Sequence, residues 1–68
     1  MKEYYGVVEV ENMTTGQLIQ LYTLRKKAMY LPESSAKVVG MCQFSVTWYG
    51  TPLEANRYYS SRTNFCVL

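Results

Sequence analysis

The chain has no histidine and no aspartate; its five acidic residues are all glutamates, Glu3, Glu9, Glu11, Glu33 and Glu54. Without histidine there is no Ser–His or Cys–His nucleophile pair, and the commonest general acid–base is missing. Cysteine is scarce too. Cys42 and Cys66 are too few for a disulfide scaffold and, with no histidine beside them, too few for a zinc site. The four glycines are scattered, so no glycine-rich phosphate loop exists. No window approaches the roughly 18 apolar residues of a membrane span. Near the start, Lys2 and Glu3 lead into an alternating segment that does not read as a secretory signal. The expectation is a non-catalytic protein without cofactor or metal, cytosolic, with reduced thiols.

What is present describes a small folded domain spanning residues 1–68. Apolar residues make up 49% and charged residues 18%, too apolar and too weakly charged for a disordered chain. A chain this short buries only about 60% of the surface its unfolded form exposes, so the core is marginal. Oligomerisation is one standard remedy, and a homodimer is therefore among the expectations. The net charge of +2 is unevenly spread: residues 1–13 carry one Lys and three Glu, residues 14–68 six Lys or Arg and two Glu.

Tyr4 to Glu11 alternates with period two, placing Tyr4, Gly6, Val8 and Val10 on one face and Tyr5, Val7, Glu9 and Glu11 on the other. This is a half-buried strand whose glutamate end is solvated. Thr14 and Gln17 have the spacing of a capping box, with Met13 and Leu18 as its staple. Leu18, Leu21, Tyr22, Arg25 and Ala28 then recur at helical spacing, the basic trio Arg25-Lys26-Lys27 suits a helix C-terminus, and Pro32 supplies a stop. A helix from about Thr15 to Tyr30 is predicted. Lys37 to Tyr49 alternates as one long strand, with Val38, Gly40, Cys42, Phe44, Val46 and Trp48 toward the core and Gly40 marking a bulge or close approach. Cys42 is accordingly expected as an inert buried thiol.

The segment after Gly50 forks. Thr51-Pro52-Leu53-Glu54 is a second capping box with proline at the first helical position, predicting a helix from Pro52 to about Ser60. The competing reading is a turn into a strand containing Arg57-Tyr58-Tyr59. Helix propensity favours the first. With a last strand over Asn64 to Leu68, the expected fold is α+β in β-α-β-α-β order, its helices on one face of a three-stranded sheet.

Two constellations bear on function. Glu9 and Glu11 share a strand face roughly 7 Å apart, a distance open to a metal or an acid–base pair, although a charged, solvated face is the plainer reading. The stronger signal is tyrosine: seven residues, with the aromatic doublets Tyr4-Tyr5, Trp48-Tyr49 and Tyr58-Tyr59. In extended chain each doublet sends one ring away from the core. Together with arginine, such rings are typical anchors of protein interfaces. The expected docking surface is Trp48, Tyr49, Arg57, Tyr58, Tyr59 and Arg62, on a protein partner. By base-rate analogy, small motif-free chains of this kind are inhibitors or adaptors of larger machines, including those mobile elements turn against a host. The alternative is a nucleic-acid binder with Arg25, Lys26, Lys27, Arg57 and Arg62 on phosphates.

Overall fold

The computed structural model describes the backbone of residues 1–66 and the side chains of residues 1–63. Four strands, β1 (Lys2–Asn12), β2 (Leu18–Ala28), β3 (Ser35–Val39) and β4 (Cys42–Tyr49), precede one helix, α1 (Pro52–Cys66). The sheet order is β2-β1-β4-β3, with every neighbouring pair antiparallel. The α+β character is as expected. The three-stranded sheet and the β-α-β-α-β order are not, and three local decisions account for the difference.

The first is the segment expected as a helix over Thr15 to Tyr30, whose residues 18–28 are strand β2, paired with β1 from Lys2↔Ala28 to Glu11↔Leu18 with one register shift between Val10 and Glu11 that passes over Ile19. Thr14 caps nothing. Instead Asn12 Oδ1 accepts from the amides of Thr14 (2.8 Å) and Thr15 (3.2 Å), and the Asn12 amide donates to the Gln17 carbonyl (2.8 Å). Gly16, at φ 73°, supplies the left-handed residue that closes this loop. The result is a hairpin, and Met13 is exposed instead of stapling anything. Apolar residues at 18, 21, 22 and 24 satisfy helical spacing, but they equally populate both faces of a strand. Long-range pairing decides between the two.

The second concerns residues 37–49, expected as one strand. Val39 pairs with Cys42 across Gly40 and Met41, so the segment is a hairpin of β3 and β4. Gly40 has φ 62° and Met41 has no positive φ, the pattern of a type II′ turn with glycine first. The turn reverses direction, so Val38 pairs with Gln43 and leaves the face it was assigned. Cys42 is half-buried, not enclosed.

The third is the C-terminal segment, where Thr51 caps the helix as read and Glu54 answers through the Thr51 hydroxyl. Thr51 Oγ1 accepts from the Glu54 amide (3.3 Å) and donates to Glu54 Oε1 (3.1 Å). No glycine or proline follows Pro52, and the helix continues past Ser60 to Cys66. Asn64–Cys66 is therefore helix and not the expected strand, of which Val67 and Leu68 lie outside the described residues.

Helix α1 lies on the face of β1 that carries Tyr5, Val7, Glu9 and Glu11; Val7 is fully buried there. The helix turns Ala55, Tyr58, Tyr59 and Arg62 toward the sheet, at the i, i+3, i+4, i+7 spacing of one helical stripe. The opposite face is read by rows across the strands: Leu24–Gly6–Trp48, Tyr22–Val8–Val46 and Gln20–Val10–Phe44. The Trp48 ring covers Gly6 so closely that a Cβ there would stand 2.9 Å from its Cε3 and Cζ3. Among the described residues no element covers this second face.

Turn chemistry gives a paired test. Gly40→Ala forces an L side chain into the left-handed region and should cost about 1–2 kcal/mol in urea unfolding. Gly50, with open space around its Cα and no positive φ, should accept Ala within about 0.5 kcal/mol.

Candidate functional site

The six residues expected to form one docking surface divide among three places. Tyr49, at the end of β4, and Tyr58, on α1, meet with ring centroids 6.0 Å apart and planes at 35°. With Glu54, Arg57 and Ser61 they line an open groove of about 380 Å³ between helix and sheet. Arg57 is exposed, and no hydrogen bond or ion pair holds its guanidinium among the described residues. Trp48 lies on the other face of the sheet, because neighbours in a strand point opposite ways. Tyr59 is half-buried on the helix stripe that faces the sheet.

Arg62 is not a free anchor. Its Nε donates to Glu9 Oε2 at 2.8 Å and its Nη2 to Glu11 Oε2 at 3.4 Å. The Tyr58 hydroxyl donates to Glu9 Oε1. Glu9, expected to be solvated, is 7% exposed, with both carboxylate oxygens occupied by helix residues. The Glu9–Glu11 pair thus receives the Arg62 guanidinium. Among the described residues no cluster of three ligating side chains is suited to a metal, and no helix is long and apolar enough to cross a membrane.

The electrostatics follow from this arrangement. Burial, the hydrogen bond to Glu9 and the Glu9 charge push the Tyr58 phenol up to about 12, against a smaller opposing pull from Arg62. Burial also raises Tyr49, helped by the charges of Glu9 and Glu54. For Arg62, burial acts to lower the pKa, but the hydrogen bond and charge of Glu9 outweigh it and the net shift is upward. The groove therefore presents two neutral phenol rings beside the Arg57 cation and the Glu54 carboxylate.

The basic residues considered for nucleic acid are dispersed. Lys26 pairs with Tyr4 and belongs to the uncovered face of the sheet, whereas Arg25 pairs with Tyr5 on the helix side, its guanidinium 5.9 Å from that ring. Lys27 shares the side of Arg25, Arg57 stands on the helix, and Arg62 is held by glutamates. Sequence reasoning missed Glu54 and Ser61 as groove residues. Helical spacing could have found them, at i−4 and i+3 from Tyr58.

Removing one side of a buried ion pair leaves the other charge uncompensated. Arg62→Met should cost about 3 kcal/mol in chemical denaturation, and Arg62→Met with Glu9→Gln should recover a large part of it. Alkaline titration gives a second test. The unfolded phenol ionises near 10.0 and the folded Tyr58 near 12, so its contribution to stability is complete below pH 10.0 and is lost as the pH rises toward 12. Helical circular dichroism should fall across that interval, and Tyr58→Phe should remove this part of the dependence. No protein-family model matches the chain, and no curated protein or solved structure is similar enough to it to carry a functional argument.

Proposed function

We propose that this is a non-catalytic binding protein, an inhibitor or adaptor that docks on a larger protein through the groove between β4 and α1. The observation that carries the reading is the convergence of Tyr49, Arg57 and Tyr58, from two different elements, on one open groove. Tyrosine supplies large rigid contact area with little entropy to lose, and an unpaired guanidinium is ready to take a carboxylate from a partner. The preferred partner surface offers an apolar or aromatic side chain to the two rings and an acidic one to Arg57. The rings are held by the fold before any partner arrives, because Tyr58 is tied to Glu9, so little ordering cost attends binding.

Affinity capture from the native cell lysate, compared between the parent chain and two variants, tests this reading. Arg57→Ala and Tyr49→Ala should each weaken retention of one co-purifying protein by about 30-fold, the loss expected of a hot-spot residue. Both should keep the circular dichroism of the parent, and Arg57→Ala, an exposed side chain, its unfolding midpoint as well; Tyr49→Ala gives up its ring contact with Tyr58 and should lower the midpoint modestly without unfolding the chain. Equal recovery by parent and variants, or no enriched protein, overturns it.

A further inference from the structure

We infer that the uncovered face of the sheet is the contact surface for a second copy of this chain, the two sheets stacking face to face. This goes beyond the proposed docking groove and uses the opposite side of the molecule.

The side covered by α1 is the polar side, with Glu9, Glu11, Thr23, Ser45 and Thr47 among its strand positions. The apolar side is the uncovered one. Its centre is Val8, Val46, Tyr22, Phe44, Leu24 and Trp48, with Tyr22 43% and Phe44 41% exposed. An antiparallel sheet commonly keeps one apolar face against a core and one polar face to water. Here the helix sits on the polar face, so the larger apolar layer still lacks its second half.

The size of what is missing can be stated. The chain exposes 5112 Å², about 700 Å² more than the roughly 4,400 Å² expected of a folded monomer of its mass. Its radius of gyration is 12.6 Å, against about 11 Å for a compact chain of this length. The molecule is a slab, 39 × 25 × 11 Å across its Cα atoms. A standard interface takes about 800 Å² from each partner. That excess belongs to the whole slab, but it is of the order of one half of a standard dimer interface, and the part-exposed Tyr22, Leu24 and Phe44 of the uncovered face contribute to it. Two such sheets would pack about 10 Å apart, as in a β-sandwich.

Charge on this face is confined to the margin. Lys2, Lys26 and Lys37 stand at one end and at the β3 edge, and among the described residues no acidic one occupies a paired strand position on this face. An apolar centre with a polar rim is the anatomy of a homodimer contact. The lysine stems can extend along the rim with their ammonium groups in water. Because like charges meet across the twofold axis and no ion pair forms, the dimer should hold or tighten as salt rises. A nucleic acid on the same lysines would do the reverse.

Sedimentation equilibrium of the full chain at micromolar concentration, at low and at high salt, tests the inference. The expected result is twice the chain mass at both, with Phe44→Glu and Tyr22→Glu each weakening the dimer by about 30-fold. Since both side chains are already part-exposed in the single copy, circular dichroism of these variants should match the parent. A monomer throughout overturns the inference, as does a dimer unaffected by either variant, which would place the contact elsewhere. A monomer that binds a single-stranded oligothymidylate at low salt and releases it at high salt, with Phe44→Glu abolishing binding, overturns it in favour of nucleic acid. None of these outcomes touches the groove, whose variants Arg57→Ala and Tyr49→Ala should dimerise like the parent.

Discussion

The placement of α1 depends on Glu9. A carboxylate in the middle of the central strand, flanked by Leu21 and Ser45, is too costly to enclose unless each oxygen finds a donor. Tyr58 and Arg62 are those donors, four residues apart on one helix and so on one stripe. That requirement fixes both the rotation of the helix and its position along β1. Ala55, the small residue one turn earlier, lets the helix approach closely at its other end, where it is nearly fully buried. The helix is held both by these directional polar contacts and by the burial of Val7 and Ala55 between helix and sheet. A buried ion pair of this kind is a weak source of net stability but a strong source of specificity, since any slip leaves a charge unpaired.

That choice sets the sidedness of the whole molecule. With α1 committed to the glutamate face, the valines, phenylalanine and tryptophan of the other face have no layer of the chain's own against them among the described residues. Trp48 shields Gly6, and Val8 and Val10 are buried on that face although the helix lies on the other. The groove arises from the same commitment. Tyr58 is drawn down to Glu9, which brings its ring beside Tyr49 and leaves Arg57, one residue earlier, turned to solvent. A stabilising contact and the proposed docking groove are thus built from adjacent residues of a single helical turn.

Parts of this were legible from residues alone, and the reasons they were legible are local. The Thr51–Glu54 capping box works because its donors and acceptors lie within four residues of one another, and the alternation of Tyr4 to Glu11 is a property of one strand. The segment 15–30 misled for the complementary reason. Its apolar spacing fits a helix and a two-sided strand equally, and the Thr14–Gln17 pair imitates a cap where Asn12 and Gly16 in fact close a hairpin. Gly40 was noticed as exceptional, but a bulge and a turn differ only in whether the chain reverses, which depends on the register of residues on either side. Of the residues the sequence marks for a docking surface, Tyr49, Arg57 and Tyr58 line one groove. Trp48 was placed with them because adjacency in sequence was mistaken for adjacency in space, and Arg62 because its partners lie more than fifty residues earlier in the chain.

By itself, the sequence determined the chemistry this protein has at its disposal: no imidazole, two thiols, an excess of phenol and guanidinium, and a capped C-terminal helix. Those follow from composition and short-range hydrogen bonding, which need no knowledge of distant residues. The tertiary structure alone decided that 18–28 is a strand, that Glu9 is buried, and that the polar face of the sheet is the one covered. Each rests on pairing between residues far apart in the chain, where the gain comes only once both partners are in place.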